Sequence, residues 1–353
     1  MEPWSGPAND YEQTQAALLA AGLTDGLPVI PPTAQRVDRM LHAAHRDPDV
    51  VVAVLPPLYA QVTWRDLAIN AVMAGCTAPC LPIVGAAVAA MCAPQFNLLG
   101  IATTTGSACP LIIVNGPAAL AAGMNSGANA LGPGNPANAT IGRAVSLVLR
   151  NVGGALPGEV DMATLGQPGK YGFCLAENEA SSPWAALHVE RGFDAAQSVV
   201  TVVGVSGIGE IVDSESRTAD DLARTFAASM LSAGNVGAQG SVGGGEPVLV
   251  LPPEHAELLV RAGCDKLQFR RRVHEYARLP QALLGAAMRK ALARRHAEAA
   301  AAAAQDPGTD DPDLPLAVSA EDIVLVVAGG VGRKAAFMPS WSGATRAVSL
   351  PVE

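Results

Sequence analysis

The chain has 353 residues, half of them hydrophobic and only 16% charged, and it carries a net charge of −9. Such an acidic balance excludes a broad nucleic-acid or anionic-membrane surface, which needs clustered Lys and Arg. The length gives room for two domains of ordinary size, and with aromatics at 4% the core has to be built from Ala, Val and Leu.

The opening residues lack a basic segment followed by an apolar one, so no secretory leader is expected. YEQTQAALLAAG (11–22) predicts a short helix closed by Gly22, and TDGLPVIPPT (24–33) a turn and an extended piece stiffened by prolines. Thr33 caps a helix over 34–46. VVVAVLPP (50–57) reads as a buried strand, and Thr63 caps a helix over 64–74. The longest apolar stretch, CLPIVGAAVAAMC (80–92), is shorter than a membrane span. Further apolar runs end in polar turns at 98–105 and 111–117. A loop rich in Gly and Asn (123–138) then leads into a helix for which Asn138 is the expected cap.

Past residue 195 the runs SVVTVVGVSGIGE, PVLVLPPEHA and IVLVVAGGVGRKA each end in a Gly- or Pro-rich turn. Strands that are apolar throughout, alternating with helices, predict an α/β fold with mixed or parallel sheets covered by helices. Two α/β subdomains are expected, 1–194 and 195–353, with the site in the cleft between them and a low-complexity linker at 297–316. Arg270–Arg272 reads as a solvated helix face. Six cysteines without an export signal read as reduced thiols, which places the protein in the cytoplasm.

Three stretches hold residues suited to chemistry. In NAVMAGCTAPC (70–80), Gly75 ends one helix and Pro82 suits the first turn of the next. Cys80 then lies near a helix N-terminus, where the macrodipole and free N–H groups lower a thiol pKa, and Cys76 is close enough to resolve it. Two small apolar fillers would have the same spacing. In the loop and helix that come next, Asn115, Asn129, Asn138, Thr140 and Arg143 are candidates to cradle an anion, or else simply turn the chain. In GKYGFCLAENEASSPWAALHVERGF (169–193), Lys170, Glu177, Asn178 and His188 lie at or near a strand end. His188 is a general base to be oriented by Glu177 or Glu190, or a packing histidine. No dinucleotide fingerprint, Walker loop or nucleophile elbow occurs, and the residues leave the cofactor unknown.

TDGLPVIPPT, NAVMAGC, LIIVNGP, NALGPGNPANATIGRA, LRNVGG and GKYGFCLAENEASSPW together resemble a bacterial family of about this length. Its members are loosely labelled thioredoxin-like or thiol-disulfide proteins. They are associated with a small cysteine or selenocysteine protein carrying a U/C-G-S-C motif. The resemblance spans most of 20–190 and, more loosely, VVAGGVGRKAAFMPSW near the end. It implies Cys76 as the family-type cysteine, whereas Cys80 falls where relatives carry other residues.

The resulting expectation is a small-molecule enzyme, of the kind recruited to specialised metabolism. Cys76 is its nucleophile or redox thiol, Glu177 or His188 moves protons, and Asn70, Asn115, Asn129, Asn138, Thr140, Arg143, Lys170 and Asn178 hold a small anionic substrate. Two other readings stay open. One is a cysteine-independent or metal-assisted lyase or hydrolase using Glu177 and His188. The other is a non-catalytic subunit of the small thiol protein, with the Ala-rich face of 282–304 as a contact. A homodimer is the default assembly.

Overall fold

The structure is a computed structural model that describes residues 1–6, 10–232, 245–303, 313–341 and 344–353. Much of the expected linker at 297–316, and the outer part of the Ala-rich face, lie outside the described residues and side chains.

The first half builds a helical layer. It contains α1 (Tyr11–Ala20), α2 (Ala34–Ala43), the hairpin β1 (Val51–Leu55) and β2 (Ala60–Thr63), α3 (Trp64–Ala74), α4 (Cys80–Met91) and α5 (Leu98–Thr103). Then come β3 (Cys109–Asn115), α6 (Pro117–Ala121), α7 (Pro136–Asn151), β4 (Cys174–Ala176) and α8 (Leu187–Glu190). The rest supplies β5 (Val199–Val205), β6 (Gly209–Val212), α9 (Ala219–Leu231), β7 (Val248–Leu251), α10 (Pro253–Arg261) and α11 (Lys266–Tyr276). It closes with β8 (Arg278–Pro280), α12 (Ala286–Ala303), β9 (Asp313–Pro315), β10 (Val324–Val327), β11 (Lys334–Met338) and β12 (Val348–Pro351).

Two four-stranded mixed sheets form the centre, ordered β12-β5-β3-β4 and β10-β7-β11-β6. In the first sheet β3 and β4 run parallel while β5 pairs antiparallel with both β3 and β12. This sheet therefore takes strands from both sides of residue 195. Strand alternation assigns the faces. Leu111, Ile113, Leu175, Val203 and Val205 meet Val248, Val250, Val324 and Val326 in an apolar layer between the sheets. Their neighbours Ile112, Val114, Cys174 and Val202 face α3, α4 and α7, and Leu249, Leu251 and Leu325 face α9, α10 and α11. The order is helix, sheet, sheet, helix. Strands covered on both faces have no solvated side, which explains why they are apolar throughout.

The expected cleft has no counterpart in that packed layer. A pocket of about 390 Å³ opens beside Leu175 and Val250, with Leu131, Ile208 and Lys334 in its wall, and none of these belongs to the expected site. The run at 50–57 also differs from expectation. β1 is only partly buried, with Val51 and Val54 exposed and Leu55 buried, and among the described residues it pairs with β2 alone. The cap of α7 is Asn135 rather than Asn138, since the helix starts at Pro136, a residue whose fixed φ suits a first turn.

α3 is set by a capping box. Thr63 accepts from the Asp66 N–H at 3.3 Å, and the Asp66 carboxylate accepts from the Thr63 N–H at 2.9 Å. Thr63→Ala is expected to cost about 1 kcal/mol, read as a lower urea midpoint with an unchanged slope.

Candidate functional site

α3 ends in a left-handed Gly75 with φ of 94°, a conformation that favours glycine. The Cys76 N–H then reaches the Ala71 carbonyl at 2.9 Å, the long hydrogen bond of a Schellman motif, which fixes Cys76 just past the helix end. A short turn separates the two cysteines, and Cys80 is the first residue of α4. The two thiols lie near enough for the charge state of each to shift the other. Cys76 keeps 9% of its surface exposed and Cys80 only 1%.

The pair divides its charge unequally. Hydrogen bonding from Cys76 is the main influence that lowers the Cys80 thiol, to about 6, against its burial. The Thr77 hydroxyl, 3.5 Å away, and the Thr77 backbone add to it. Cys76 is pushed up by that same hydrogen bond, by burial and by the Cys80 charge, with Thr140 opposing weakly. Cys174, on β4, faces the same space and is raised first by burial and then by Cys80. Burial also raises Cys92 to about 11 and Cys109 to about 12. All six cysteines are free.

A second polar group sits where the parallel strands β3 and β4 end. Register places Val114 beside Ala176, and so Asn115 beside Glu177. Asn115 Nδ2 donates to Glu177 Oε2 at 2.7 Å and to Glu179 Oε1 at 3.0 Å, and the Leu187 N–H donates to Glu177 Oε2 at 2.8 Å. Burial raises the Glu177 carboxyl, and Lys266, the Leu187 N–H and Asn115 offset only part of that. Glu177 Oε1, Asn115 Oδ1 and His188 Nδ1 are buried without a hydrogen-bond partner among the described residues. The expected orientation of His188 by a carboxylate is not what forms. Its Nε2 lies 3.4 Å from the Ala195 carbonyl, while Glu190 pairs with Lys266 and Arg270. Among the described residues no group of three or more His, Cys, Asp or Glu side chains is placed to hold a metal ion.

Most of the expected anion binders are committed within the chain. Arg143 makes a two-pronged pair with Asp25 at 2.8 Å and 2.8 Å and also donates to the Pro28 carbonyl at 2.9 Å. Burial alone would raise the Asp25 carboxyl, but Arg143 and the Leu27 N–H overcome it and hold the carboxyl below its ordinary range. Lys170 pairs with Asp161 at 2.7 Å. Asn129 donates to the Pro133 carbonyl, and Asn138 ties together Asn125 and Ala130, so the loop satisfies itself. Asn70 bonds Asp66 and Asn151, and Asn178 shapes a turn toward β10. Only Thr140 joins the thiols.

Sequence reasoning missed Thr77, whose hydroxyl precedes Pro79 and Cys80 as a helix-opening residue would. It also left Cys174 unconnected, although period-two alternation puts Cys174 on the helix-facing side of its strand. No family model matches the chain, and no curated protein or solved structure was found to be similar to it.

Proposed function

We propose that the protein is a thiol-dependent enzyme that acts on a small molecule through Cys76 and Cys80. The observation that carries this reading is the placing of two thiols at facing helix ends, Cys76 just past the end of α3 and Cys80 as the first residue of α4, with the Thr77 hydroxyl 3.5 Å from the Cys80 sulfur. Cys80 stores the charge, favoured by Cys76, by Thr77 and by the N-terminus of a 12-residue helix. Cys76 lies nearer solvent and meets the substrate.

With a small disulfide as co-reactant the chemistry balances. Cys76 passes its proton to Cys80 and attacks one substrate sulfur, breaking the substrate S–S bond and releasing a thiolate. That thiolate takes the proton from Cys80. The Cys80 thiolate then attacks the Cys76 sulfur, and the second thiolate leaves. The pair is oxidised by two electrons, and the substrate disulfide is reduced to a thiol and a thiolate, the latter taking its proton from water. Restoring the pair needs a reductant. A small cysteine or selenocysteine protein, of the kind the resemblance implies, is proposed for that role. A reducing cytoplasm, which keeps six free thiols reduced, suits the cycle.

Alkylation by iodoacetamide across pH, followed for each cysteine by mass spectrometry, tests the reading. The Cys76–Cys80 pair is expected to label with an apparent pKa near 6, while Cys92, Cys109, Cys174 and Cys264 stay unreactive until alkaline pH. A pair that labels no faster at pH 7 than the half-buried Cys92 would sink it.

A further inference from the structure

At the N-terminal edge of β3 and β4, away from the strand ends that carry Asn115 and Glu177, lies a cavity of about 620 Å³. This volume is within the range of small-molecule sites. Neither Cys76 nor Cys80 is in its wall, so a ligand held there is independent of the thiol pair. Leu98, Ile101 and Ala102 of α5 and Leu149 of α7 make one side apolar, and Leu165 stands at the rim with 96% of its surface exposed.

Four ionised groups line the same cavity, and three of them are already spent. Asp25 is neutralised by Arg143, and Asp161 and Lys170 neutralise each other. Arg150 is the exception. It donates to the Gly22 carbonyl at 3.3 Å and has no carboxylate partner among the described residues. A guanidinium with no counter-ion offers a fork that matches a carboxylate. Ser146, one turn earlier on α7, brings a hydroxyl to the same wall.

We infer that this cavity binds an amphipathic monocarboxylate, its carboxylate on Arg150 and its acyl chain or aromatic body against α5 and Leu149. One unpaired cation matches a ligand charge of minus one, and the apolar wall favours a ligand that carries an apolar body.

Calorimetric titration with octanoate, octanol and octylammonium tests this on the full chain. Octanoate is expected to bind at least tenfold more tightly than octanol, and octylammonium not at all. Arg150→Gln should erase the margin over octanol while leaving octanol affinity unchanged. Ala102→Phe, which adds bulk to the apolar wall on α5, should remove binding of both. Equal affinity for octanoate and octanol, a margin that survives Arg150→Gln, tighter binding of octylammonium, or octanoate binding that survives Ala102→Phe would each overturn the inference.

Discussion

Replacing Cys76 by alanine is expected to return the Cys80 thiol from about 6 to its ordinary range or above, read as ultraviolet thiolate absorbance against pH. The hydrogen bond from Cys76 is the largest influence holding Cys80 down, and burial, which remains, pushes the other way. At pH 7 a thiol with a pKa of 6 is roughly nine-tenths ionised, whereas one near 8.5 is ionised to about 3%, so the thiolate population falls about thirtyfold. Cys76→Ser separates the hydrogen bond from the redox chemistry. Its hydroxyl still donates, so Cys80 should stay depressed, yet the variant cannot form a disulfide at that position. If alanine and serine leave Cys80 titrating alike, the Cys76 donor is not what holds the charge, and helix α4 with Thr77 must be doing so instead.

How much of the fold and the site is legible in the sequence depends on whether the signal is local. The covered sheets are visible because their central strands β3, β4, β5, β7 and β10 are apolar on both faces. Gly75 and Pro82 bracket the thiols as helix-end residues, so the contact of Cys76 with Cys80 can be anticipated from spacing alone. The partner of a polar residue is not encoded in its neighbourhood. Arg143 finds Asp25 across 118 positions of sequence, and an arginine that staples two segments looks the same in sequence as one that awaits a substrate. The asparagines of 123–138 have the same ambiguity, and they are consumed within their own loop. The run at 50–57 misleads for a related reason. A β-branched stretch reads as buried, but burial depends on a second layer, and that layer is set by the long-range pairing of β12 with β5 and of β5 with β3 elsewhere.

The polar group at the ends of β3 and β4 supplies the sharpest test of whether carboxylate chemistry also belongs here. Glu177→Gln is expected to stabilise the protein by about 1–3 kcal/mol in alkaline solution, because the amide keeps an acceptor for the Leu187 N–H without burying a charge. The sign comes from linkage. The Glu177 carboxyl titrates higher in the folded protein than in the unfolded chain. The folded state therefore binds more protons between the two pKa values, and stability falls as pH rises through that window. Below the unfolded value the wild type and Glu177→Gln should converge, and above the folded value the gap should be full. Urea midpoints measured at acid and alkaline pH decide it. A gap that opens with pH means the chain retains a buried carboxylate at a cost to its stability, as residues kept for proton transfer do. A variant destabilised equally at both pH values means that the hydrogen bonds from Asn115 and Leu187 need a carboxylate for packing alone, and Glu177 is then a structural residue.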